Sequence, residues 1–181
     1  MTALDPLLHV AAAGFIVVVL ARAIVDKLLD FAVYAATLAD YRLLPAAVVP
    51  VAAAGLMAAE MLAIVLLLVP QSCAVGAMLA IGLFALYGLA MALALFAGRS
   101  EIECGCGGEG QLVSWGLVVR NGVLIAVSAA LLLPMTGRAL GSLDLATGGV
   151  AVVIVSLLLA IAEKTIATAA VIRRLDHHPY H

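Results

Sequence analysis

The chain has 181 residues, of which 66% are hydrophobic and only 11% charged, with a formal net charge of −2. Soluble domains carry about 25% charged residues, so a mean hydropathy of +1.26 excludes an ordinary water-soluble fold. The small net charge gives no basis for nucleic-acid binding. The chain reads as an all-α, polytopic membrane helix bundle.

Five stretches are long enough to cross a hydrocarbon core that needs about 20 apolar residues: about 6–25, 45–69, 74–97, 113–133 and 148–171. A four-span alternative leaves the last stretch uncrossed. The first stretch lacks the basic start and small-residue cleavage pattern of an export signal before Asp26 and Lys27, so it reads as a retained helix. After it, "DKLLDFAVYAATLADYRLLP" spaces Leu28, Phe31, Ala35 and Leu38 helically beside Asp26, Lys27, Asp30 and Asp40, the pattern of a short interfacial helix. Pro45 and Pro50 punctuate entry into the second span, where a missing N–H costs little. No repeat or second domain is visible: residues 1–172 form one bundle, and 173–181, ending "HHPYH", form a polar tail.

With five spans, the connection after span one, the loop between spans three and four and the C-terminus share one membrane face. That loop, "GRSEIECGCGGEGQ" at 98–111, is the polar, glycine-rich interruption in the middle of the chain. Ionisable residues inside hydrocarbon cost about 2.5–3.5 kcal/mol each on insertion scales and face the bundle interior. Arg22, Glu60, Arg120, Glu163 and Lys164 all fall between the midplane and the loop face, whereas His9 lies toward the other. The bundle therefore reads as a cup with a polar interior opening under the loop, with Lys27, Arg99 and Asn121 as further members of the site. Mutual pairing of these charges to hold helices in register explains the cup as well as a site for a quinone head group, a substrate segment or a proton relay does. The quinone is the one cofactor candidate, and no spacing names it.

Cys73 starts span three at the far face, roughly 40 Å of helix from Cys104, and reads as a small buried hydrophobe. Cys104 and Cys106 are separated only by Gly105. A disulfide ring that small is strained, and strained disulfides are the labile, oxidising ones. Glu101, Glu103 and Glu109 favour the thiol form, while Arg99 favours the thiolate. Redox exchange, metal binding and a purely structural use all stay open. Two thiolates without a histidine fall short of the four ligands of structural zinc, so no metal site is assigned.

The stretches from Lys27 through Phe31 to "YRLLP" at 41–45, Glu60 in "AAEMLAIVLLL", "GRSEIECGCGG" and "SWGLVVRNGVL" resemble the MauE family of methylamine utilisation proteins, within the wider MauE/DoxX group of redox-associated membrane proteins. The resemblance runs from Lys27 to about Leu133. It implies a maturation role in the bacterial inner membrane: with a thioredoxin-like partner, such proteins support production of the exported, disulfide-rich β subunit of methylamine dehydrogenase. It assigns Cys104 and Cys106 to disulfide formation or export of that subunit. A non-redox docking or chaperone partner and a small-solute carrier are the competing classes.

Charge bias and redox work point to opposite orientations. Lys27, Arg42, Arg99, Arg173 and Arg174 share the loop face against Arg138 opposite, which places the loop in the cytoplasm. Disulfide formation on an exported client requires the other side. The shared face holds in either case.

Overall fold

The computed structural model of the chain describes residues 3–99, 102 and 112–177, where the named elements are all helices and a bridge joins Leu4 to Met135. The order is α1 Pro6–Leu29, α2 Phe31–Asp40, α3 Val49–Leu68, α4 Cys73–Phe96, α5 Trp115–Ala130 and α6 Ser142–His177. Four of these, α1, α3, α4 and the Ser142–Thr165 part of α6, are long and apolar enough to cross a membrane. The predicted fourth span appears as α5, whose 16 residues rise only about 24 Å. It is shorter than expected because Ser114 caps it in an extended conformation and the chain turns at Leu131 to Leu133. Conversely, α6 continues through His177, past the expected end of the last span.

Local chemistry fixes the joints. Asp5 caps α1, accepting from the Leu7 N–H at 2.8 Å, and Pro6 occupies the first turn, where its missing donor is harmless. Asp30 ends α1 and also caps α2 by accepting from the Val33 N–H at 2.9 Å, so one residue makes the corner onto the short helix. Arg42 leaves α2 in the left-handed region, with φ of 52°. A side chain there is disfavoured relative to glycine, and the conformation turns the backbone sharply toward Pro45.

The α3–α4 hairpin closes tightly at Gly76. Ser72 Oγ donates to the Leu66 carbonyl at 3.0 Å, and a Cβ placed on Gly76 would lie 2.7 Å from the Leu67 backbone nitrogen and 3.0 Å from the Leu66 carbonyl carbon. Because the obstacle is backbone, relief requires the helices to part. Gly76→Ala is expected to destabilise the protein by about 1–3 kcal/mol, measured as a lower thermal midpoint in detergent.

The core runs through Phe15, Ile16 and Leu20 of α1, Ala63 and Leu67 of α3, Ala77, Ala80, Leu83 and Phe84 of α4, and Leu124 of α5. Alanines at the crossing points bring backbones close, the usual packing solution where lipid removes any hydrophobic drive between helices. Large apolar side chains such as Leu89, Val119 and Leu157 stay exposed, as hydrocarbon-facing residues should. Helix α6 is the outlying member. Among its described residues only Gly148 and Glu163 are buried, and the helix packs chiefly on α1.

The two ends of the bundle are distinct. At one, the Leu4 N–H donates to the Pro134 carbonyl at 2.8 Å and the Thr136 N–H to the Leu4 carbonyl at 2.9 Å. Arg138 there bridges Asp5 and Asp144, each at 3.2 Å, and these hydrogen bonds, to Asp5 first, hold its guanidinium above its ordinary range. A cleft of about 670 Å³ at this end is lined by His9, Cys73, Arg138 and neighbouring apolar residues. Cys73 is a buried free thiol, separated from the loop by the full length of α4. The opposite end carries α2 and the base of the cysteine loop, with Arg99 Nη1 donating to the Tyr41 carbonyl at 3.1 Å. The loop and the α1–α3 connection therefore share a face.

Candidate functional site beneath the cysteine loop

Cys104 and Cys106 lie outside the described residues, but the platform that carries them is defined. The Val113 N–H donates to the Ile102 carbonyl at 2.9 Å, drawing the two ends of the loop together at a neck. Beneath the neck, Tyr41, Met91, Ala94, Val113 and Leu117 form a buried cluster with Ile102 packed against it. Tyr87 also packs on this cluster, about two helical turns, or roughly 10 Å, below Ala94 on α4.

Tyr87 is the link to the first of two ion clusters. Its hydroxyl donates to Glu60 Oε1 at 2.6 Å, and the Lys27 ammonium donates to the same oxygen. Lys27 is 2% exposed and Glu60 is fully buried, so both charges are withdrawn from bulk solvent. Isolated burial of either would cost several kcal/mol, and only close pairing with further hydrogen bonds offsets it. The aromatic rings contribute as well: Lys27 Nζ lies 4.8 Å from the Tyr34 ring centroid and 5.0 Å from that of Tyr87. Four helices, α1 to α4, meet on this one ammonium–carboxylate pair.

The second cluster joins α1, α5 and α6. Arg22 Nη1 stands 3.1 Å from Glu163 Oε2, and Arg120 Nε stands 2.8 Å from Glu163 Oε1. The Arg120 contact has ion-pair distance but not hydrogen-bond alignment. Glu163 is thus the buried peg by which the outlying α6 is held. Glu163→Ala leaves two guanidinium groups without their carboxylate. Arg22 is 39% exposed and keeps some solvation, so a cost of about 1–3 kcal/mol is expected, below that of a fully buried pair. Faster hydrogen exchange along α6, with α1 to α4 unchanged, would register the loss.

Two small voids flank Arg120. One, of about 30 Å³, is lined by Arg22, Arg120, Ser156 and Glu163; the other, of about 10 Å³, by Lys27, Glu60, Tyr87, Arg120 and Asn121. Neither takes more than one or two waters.

The predicted site residues sort themselves by these contacts. Lys27 and Glu60 form one cluster; Arg22, Arg120 and Glu163 form the other; Asn121, bonded through Nδ2 to the Leu117 carbonyl at 2.9 Å, lines the void between them. Two members belong elsewhere. Arg99 braces the loop base against Tyr41, and Lys164 is exposed on α6, about 100° around the helix from Glu163. Sequence reasoning passed over Tyr34, Tyr87 and Ser156. The signal was present for the tyrosines, since a phenolic hydroxyl within an apolar span requires a polar partner.

The family model described as "Methylamine utilisation protein MauE" matches residues 4–134. The chain belongs to the MauE family. Among relatives named methylamine utilization protein MauE, that of Paracoccus versutus is 37% identical over 148 residues, covering 80% of this chain and 79% of the relative. The Methylorubrum extorquens MauE is 34% identical over the same shares, and that of Paracoccus denitrificans 31% identical over 71% of this chain and 70% of the relative. No solved structure matches the chain. The stretch matched to MauE contains Lys27, Glu60, Tyr87, Cys104, Cys106 and Arg120, whereas Glu163 and the whole of α6 fall beyond it.

Proposed function

We propose that this MauE-family protein is a maturation factor of the bacterial inner membrane, supporting disulfide formation, processing or export of the methylamine dehydrogenase β subunit. Cys104 and Cys106 are its thiol–disulfide pair. The observation that supports the reading is that the stretch matched to MauE includes Cys104 and Cys106, in the segment that follows a neck closed by Ile102 and Val113 and braced by Arg99.

The exchange balances without any other cofactor. A client thiolate attacks one sulfur of the Cys104–Cys106 disulfide, breaking that bond and forming a mixed disulfide. A second client thiolate then attacks the client's own sulfur in the mixed bond. The client leaves oxidised by two electrons and the pair is left as two thiols. A thioredoxin-like partner in its disulfide form takes those two electrons by the same two steps and restores the pair. The hydrophobic platform and the buried Lys27–Glu60 lock beneath it keep the loop base fixed while both partners visit.

The reading is tested by labelling Cys104 and Cys106 in intact cells with a thiol reagent that cannot cross the membrane, before and after mild reduction. Labelling only after reduction supports an oxidised pair on the outer side. Labelling that requires permeabilised cells, with or without reduction, contradicts direct work on an exported client.

A further inference from the structure

Glu60 is fully buried, and its two oxygens are treated unequally. Oε1 receives both Lys27 and Tyr87, whereas Oε2 has no donor among the described residues. A buried carboxylate oxygen left without a donor is costly. The void it shares with Lys27, Tyr87, Arg120 and Asn121 measures about 10 Å³, at the lower limit for one water. On the other side of Arg120, the void of about 30 Å³ is comfortably large enough for one, and its wall includes the buried, unpartnered Ser156 hydroxyl.

We propose that Arg120 is bracketed by two buried water sites, and that the water between Glu60 Oε2 and the Arg120–Asn121 edge joins the two ion clusters into one unit. Such a water donates to Oε2 and accepts from the Arg120 guanidinium or the Asn121 amide. The second water accepts from Arg120 and exchanges a hydrogen bond with Ser156. The resulting chain runs from Lys27 and Tyr87 through Glu60, water and Arg120 to Glu163 and Arg22, and so connects α1, α3, α4 and α5 to α6. Helix α6, which lies outside the family-matched stretch, is by this route sensitive to the charge state of a site it does not touch.

Water-edited solid-state NMR of the protein in lipid bilayers, with the Glu60 carboxyl assigned through the backbone of α3, tests the first site directly. Transfer from slowly exchanging water to the Glu60 carboxyl carbon is expected, and it should vanish in Ala23→Val, which adds carbon to the wall of that void without touching a polar group. Absence of transfer in the unaltered protein overturns the proposal. The linkage is tested by a double-variant cycle. Glu60→Gln and Arg120→Gln should be non-additive by about twofold or more in the unfolding equilibrium constant, although their side chains make no direct bond. Additive behaviour would show two independent clusters.

Discussion

Lys27→Met is expected to be the most damaging single substitution in the bundle. It leaves the fully buried Glu60 carboxylate without its counter-ion, and breaking a buried pair in this way costs about 3–5 kcal/mol. Glu60→Gln should be milder, because the amide carbonyl still accepts from Tyr87. The double variant Lys27→Met/Glu60→Leu should regain most of the loss, since replacing both charges by apolar groups removes the desolvation cost along with the attraction. Folded protein recovered from membranes and its thermal midpoint in detergent report these differences. If Lys27→Met accumulates and melts like the unaltered protein, the pair does not lock the four helices.

The sequence placed Arg22, Lys27, Glu60 and Arg120 in one site without showing that Glu60 takes Lys27 and not an arginine as its partner. Hydropathy and the depth of each charge locate residues along the bundle axis, and that part was legible: four of the five expected spans as long apolar helices, the short helix after Asp30, and the gathering of charge into two buried clusters. Pairing depends instead on helix rotation and on which helices adjoin. Arg22 and Lys27 are five residues apart on α1, about 140° around the helix, so a single helix serves two clusters. Glu163 and Lys164 are neighbours in the chain, yet one is buried and the other exposed. Arg120 and Asn121 also point about 100° apart but line one void, because the long arginine stem carries its head back toward the interior. The shortened α5 was equally hidden, since Val113 and Leu131 are apolar whether they belong to helix or to its flanks.

The second large effect concerns the thiols. A lone cysteine can enter a mixed disulfide but cannot complete the exchange within the loop. Cys104→Ser and Cys106→Ser should therefore each abolish support for the dehydrogenase while the membrane protein itself accumulates normally. One of the two should trap a covalent complex with the thioredoxin-like partner or the client, visible as a reducible band. Cys73→Ser should be nearly silent, since its buried thiol sits at the other end of α4.

The most direct test of the proposed role is the amount of mature β subunit in cells whose only copy of this protein is the Cys104→Ser/Cys106→Ser variant, with the variant's membrane level measured alongside. A normally abundant variant with the mature β subunit lost is the expected result. Normal amounts of mature β subunit would contradict thiol exchange and leave docking of the client as the protein's contribution.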